Sequence, residues 1–141
     1  MARKIINTLR PVIVHDIVDA RVVCSSAIGF GNQVTMWTAS GAISYLGPAW
    51  IIEIWRHVRR EFPELMINTV IDCGNDPGNA LSAIRSGAEG VALNAKPSVK
   101  KKIRQIASAR NVMIWKCPNR ILDLGKCSNK EACCKEWFGI E

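Results

Sequence analysis

The densest group of chemically capable residues in this chain is IDCGNDPG, residues 71–78. An aspartate there ends an apolar run, Gly74 permits close backbone approach, and Asp76 followed by Pro77 opens a helix whose first amides are free. Such a turn can hold an anionic group on the amides of residues 75–79, with Asp72 placing a hydroxyl, a metal or a basic ligand group. It can equally be a closed turn in which Asp76 only caps its helix and Asp72 binds neighbouring amides. Cys73, beside the same helix N-terminus, is a candidate thiolate nucleophile, although buried and inert is the commoner state of a cysteine.

A second group lies in TASGAISYLGP, residues 38–48, which exceeds the usual length of a strand-to-helix connection and reads as a lid over a ligand. Ser40 and Tyr45 offer hydroxyls there and Gly41 offers flexibility. The glycine spacing matches neither a Walker loop nor the dinucleotide fingerprint, so no nucleotide and no other cofactor is inferred. His15 next to Asp16 invites acid–base chemistry, yet adjacent residues rarely face each other, and a histidine closing a strand is the plainer reading. Asn94, Lys96 and Lys116 follow further apolar runs. Either lysine can pair with an anion or, if desolvated, form a Schiff base. The candidate chemical groups are therefore His15, Asp16, Asp72, Cys73, Lys96 and Lys116. The candidate ligand contacts are Ser40, Gly41, Tyr45, Asp72, Gly74, Asn75, Asp76 and Asn94.

These groups share one property, which is that each follows a short run of β-branched or bulky residues. Five such runs are readable, PVIVH (11–15), QVTMWTA (33–39), INTVID (67–72), GVALN (90–94) and VMIWK (112–116). Segments of helical period separate them. Asp16 caps the first, Pro48 opens the second, Asp76-Pro77 opens the third with Gly87 closing it, and Pro97 opens the fourth. Alternation of this kind predicts an α/β fold in which a mostly parallel five-stranded sheet forms a single three-layer domain. The strand order expected is flavodoxin-like 2-1-3-4-5 or, as the alternative, that of a half-barrel. Residues 118–141 read as a C-terminal extension packed on this domain, with an apolar bridge at 121–124 and a short terminal helix entered through a Ser128 and Glu131 capping box.

NALSAIRSGAEGVAL, residues 79–93, resembles the helix, glycine and strand units of (β/α)₈ barrels and the corresponding stretch of receiver domains. A chain of 141 residues has room for half such a barrel. Asp16, Asp72 and Lys116 resemble a phosphoacceptor site in part. Receivers carry paired acids after the first strand and a hydroxyl residue after the fourth, where this chain has His15-Asp16 and Asn94.

Charge is distributed unevenly. Acids and bases cancel up to residue 95, and the whole net charge of +7 lies from Lys96 onward, where eleven Lys and Arg face four acids. A small anionic ligand at the sheet edge and weak polyanion binding by Lys100, Lys101, Lys102 and Arg104 are the partners this implies. The six cysteines lack zinc-knuckle spacing, so no metal site is expected, and a reduced, cytoplasmic protein without a transmembrane segment is anticipated. Open sheet edges leave a homodimer as a further expectation.

Overall fold

The computed structural model describes residues 10–139. Its elements are β1 (Val12–Val14), α1 (Ile17–Ala27), β2 (Gln33–Thr38), α2 (Ala42–Leu46), α3 (Pro48–Glu61), β3 (Met66–Asp72), α4 (Pro77–Ser86), β4 (Gly90–Ala92), α5 (Pro97–Ala109), β5 (Met113–Trp115), β6 (Leu122–Asp123), a 3₁₀ turn (Leu124–Lys126) and α6 (Lys130–Phe138). The fold is α/β, as the alternation of runs predicts. Every strand pairing is parallel.

Among the described residues the sheet has six strands rather than five, in the order β5-β4-β3-β2-β1-β6. Strands 1 to 5 stand in chain order, which is the half-barrel alternative of the two orders expected, because each crossover steps to the next position on the same side of its predecessor. The additional strand lies within the apolar bridge. Leu122 and Asp123 come alongside Val12 and Ile13 on the free edge of β1. A two-residue strand is too short to show a period, so only its neighbour defines it.

Local chemistry sets the helix ends. The Asp19 amide donates to Asp16 Oδ1 at 2.8 Å and opens α1, Pro48 and Pro77 occupy first turns, and Gly87 closes α4 at φ +98°. Two boundaries depart from expectation. The lid of residues 40–47 contains α2, a single helical turn bracketed by Gly41 and Gly47, both at positive φ. The cap of α6 is Asn129, whose side chain accepts from the Ala132 amide at 3.1 Å, and the Ser128–Glu131 box does not supply it. Asparagine one position later meets the same orphan amides, and chain entry from the 3₁₀ turn selects it.

All six helices contribute buried residues to one core together with Val12, Val14, Met36, Ile71 and Val91, which point to one face of the sheet. The opposite face carries a separate cluster of Trp37, Val70 and Ala92, against which Ile13, Trp115 and Ile121 pack. The indoles of Trp37 and Trp115 meet edge to face at 6.4 Å. Among the described residues no helix is long and apolar enough to cross a membrane.

Candidate functional site

Because the strands are all parallel, their carboxyl ends form one rim, and the loops after β1 to β5 carry the expected polar residues there. The rim divides into two halves with different chemistry.

The half above β3, β4 and β5 is closed on itself. Asp72 Oδ1 accepts from the Gly74 amide at 2.9 Å, and the Asp72 amide donates to Thr38 Oγ1 at 2.9 Å. Asp76 Oδ1 accepts from the amides of Gly78 and Asn79, and the Asp76 amide donates to the Cys73 carbonyl. Three of the amides expected to receive an anion are therefore already engaged inside the turn. Asn94 joins the same turn through its amide, which donates to the Gly74 carbonyl at 2.7 Å, while Asn75 is exposed. Cys73 is buried, and burial, followed by the charges of Asp72 and Asp76, pushes its thiol up to about 12. It stays protonated near neutral pH, so desolvation and two carboxylates outweigh the helix terminus. Lys96 and Lys116 are exposed beyond β4 and β5.

The half above β1 and β2 is open. A groove of about 430 Å³ runs between the start of α1 and the outer face of α3, with Ile17, Leu46, Trp50 and Ile54 as apolar walls and His15, Asp16, Glu53 and His57 as polar groups. Trp50 is 58% exposed. A smaller cavity of about 20 Å³ shares the His15, Asp16, Leu46 and Ile54 walls and reaches in to Val14, Thr38 and Trp55, with Ala42 and Tyr45 of α2 also lining it. The turn of helix that the sequence reading takes for a loop thus forms a wall of the site. Gly41 serves as the left-handed residue before it, and Ser40 is exposed outside both cavities.

His15 is held on three sides. Its amide donates to Asp19 Oδ2 at 2.9 Å, its Nε2 lies 2.6 Å from Asp123 Oδ1, and a Cβ at Gly125 would come within 2.6 Å of that nitrogen. Asp123 Oδ1 also accepts from the Gly125 amide at 2.9 Å. A carboxylate at Nε2 selects the tautomer with its proton there and leaves Nδ1 as the free acceptor of the neutral ring. Asp16, its sequence neighbour, caps α1 and bonds Asp19 rather than His15.

Sequence reasoning selects neither these partners, Asp19, Gly125 and Asp123, nor Lys130, whose Nζ donates to Asp19 Oδ1 at 2.6 Å. Asp19 had a readable signal, since it precedes Val23 by four residues and Ala27 by eight on the buried stripe of α1. A carboxylate in a buried stripe requires partners. The other three come from the C-terminal extension, which no local pattern places against β1.

Burial tends to raise the Asp123 carboxyl, but the hydrogen bonds from His15 and Gly125 and the charges of His15 and Lys126 bring it below its ordinary 3.8. A depressed carboxyl stabilises the fold above its unfolded value, and that contribution is lost as pH falls through the folded value. Urea midpoints measured from pH 6 to pH 2, about the span of carboxylate titration, are expected to fall more steeply in the wild type than in Asp123→Asn. Parallel curves would contradict this.

Among the described residues no three His, Cys, Asp or Glu side chains converge as metal ligands do. Compared with known proteins, the chain matches no family model and no curated protein.

Proposed function

We propose that this protein binds a small molecule with an apolar body at the carboxyl ends of β1 and β2, in the groove between α1 and α3. The observation that supports the reading is the groove itself, where a half-exposed tryptophan and three aliphatic side chains stand beside a histidine oriented by Asp123. Apolar walls with a few converging polar groups are the usual make-up of small-molecule sites. The charged carboxylates in the groove, Asp16 and Glu53, favour a neutral ligand there over an anion. Lys96 and Lys116, the cations expected to draw an anion, line neither this groove nor the smaller cavity.

A second reading follows from α5. No acid occurs between Pro97 and Arg110, Lys101, Lys102 and Arg104 are exposed, and among the described residues none of these cations has a carboxylate within ion-pair distance. That surface suits weak attraction to a polyanion such as nucleic acid.

One comparison separates the two. Small neutral molecules that raise the melting temperature of the wild type are expected to lose most of that effect in Trp50→Ala and keep it when Lys101, Lys102 and Arg104 are all replaced by Gln. Retention of the full shift in Trp50→Ala sinks the groove. Duplex DNA binding whose salt slope drops by about 0.9 per lost phosphate contact in the triple variant supports the α5 surface instead.

A further inference from the structure

His15 lines both the groove and the small cavity, and its ring is fixed from one side. Asp123 Oδ1 lies 2.6 Å from Nε2, and a Cβ at Gly125 would meet Nε2 at 2.6 Å and Cδ2 at 3.0 Å, so the Nε2–Cδ2 side of the ring faces the 3₁₀ turn. Nδ1 is the ring atom opposite that side. Neither Asp123 nor Gly125 lines either space, whereas the His15 side chain is 35% exposed and lines both, which turns Nδ1 toward them. Among the described residues no group donates to Nδ1, whose ring makes its one hydrogen bond through Nε2. The Asp123 carboxyl is held below its ordinary value, so near neutral pH it is ionised and only accepts. Nε2 therefore carries the proton of the neutral ring, and Nδ1 offers its lone pair to the groove. Asp16 and Glu53, the carboxylates in the groove, are acceptors too, and no lysine or arginine lines either space. Acceptors set among apolar walls call for an occupant that brings a donor.

We propose that His15 Nδ1 accepts a hydrogen bond from a hydroxyl group of the bound ligand, while the ligand's flat apolar body lies along Trp50, Ile17 and Ile54. The proposal rests on the groove being the binding site and adds the chemical class of its occupant, a neutral phenol or alicyclic alcohol. An ionised phenolate or carboxylate fits less well, because it brings no donor and meets the charges of Asp16 and Glu53. A methyl ether of the same skeleton keeps the oxygen but has no proton to give. It covers Nδ1 without replacing the water that hydrogen-bonds there, and a site that hydrogen-bonds a hydroxyl discriminates against the analogue lacking its proton.

The test uses a matched pair of probes, 5-indanol and 5-methoxyindane, which share a bicyclic skeleton and an oxygen and differ in the hydroxyl proton. Protein labelled with ¹⁵N at histidine and tryptophan contains two histidines and five tryptophans, and the His57→Gln and Trp50→Phe variants assign the signals of interest. In the free protein at mildly alkaline pH, the His15 ring is expected to show a protonated Nε2 and an unprotonated Nδ1. At millimolar probe, 5-indanol is expected to move the Trp50 indole signal and to shift His15 Nδ1 upfield, as an accepted hydrogen bond does, and 5-methoxyindane to move Trp50 alone. The indanol should bind about tenfold more tightly than the ether, and His15→Phe, which keeps a flat ring without the acceptor, should remove that preference. If both probes move Trp50 with equal affinity, or if the proton resides on Nδ1, the hydroxyl assignment is overturned and the groove stands. If neither probe moves Trp50, the groove reading fails and the hydroxyl assignment fails with it. The shifts and the two affinities are read on the folded wild type, so the result does not depend on a variant folding.

Discussion

Gly90→Ala is expected to lower stability by about 3 kcal/mol, a large effect for one methyl group. A Cβ at this position would lie 2.6 Å from Trp115 Nε1, 2.8 Å from Trp115 Cδ1 and 2.9 Å from the Thr69 carbonyl oxygen. The indole can swing away only by breaking its edge contact with Trp37. The carbonyl belongs to the backbone of the neighbouring β3, and moving it disturbs the ladder between β3 and β4. Glycine is thus required for the close approach of the Trp115 ring and the β3 backbone, and no positive φ is involved. Thermal unfolding should show a drop of about 10 °C. Adding Trp115→Ala should recover part of the loss, since the ring clash disappears while the clash with the carbonyl remains. A penalty below about 1 kcal/mol would mean that the face bearing Trp37 and Trp115 is looser than described.

Asp19→Ala is expected to cost about 2–3 kcal/mol and to loosen the C-terminal extension. Asp19 is 1% exposed, and its two oxygens accept from the His15 amide at 2.9 Å and from Lys130 Nζ at 2.6 Å. Truncation strands a partly buried amide and opens a void between α1 and its neighbours. The lysine is more exposed and can turn to water, which keeps the loss below that of breaking a fully buried pair. The hydrogen bond to Asp19 raises the Lys130 amine, against a smaller opposing effect of desolvation. A raised amine stabilises the fold below its ordinary value of 10.5, and the contribution disappears as pH climbs through the higher folded value. Protection factors of the α6 amides, which remove the intrinsic base-catalysed dependence of exchange on pH, should therefore fall in Asp19→Ala at neutral pH, and in the wild type only under strongly alkaline conditions. Exchange in α6 that is unaffected by the substitution would show that Cys134 and its apolar neighbours hold the helix without the ion pair.

How much of this was legible depended on whether a feature was local. The Asp76 cap, Pro48, Pro77, Gly87 and the bulky runs each act within a few residues, so the helices and five strands could be read directly. The group at residues 71–78 was also legible, but its role was not, because a cap and an anion cradle use the same residue types. Hydrogen bonds to Gly74, Gly78 and Asn79 satisfy Asp72 and Asp76 within the turn. Trp50, Trp55, Glu53 and His57 went unselected for the opposite reason. They belong to a helix whose pattern is fully explained by packing, and only the position of α2 and α1 beside it creates a groove.

The amino-acid sequence by itself determined the α/β class, most element boundaries and the concentration of positive charge after residue 95, since propensity, capping and charge are carried by single residues or short windows. Tertiary structure alone decided the consecutive strand order, the sixth strand, and the meeting of His15 with Asp123 across 108 positions of chain. Those outcomes depend on which surfaces bury one another best, a property of the whole chain that no window of neighbouring residues contains.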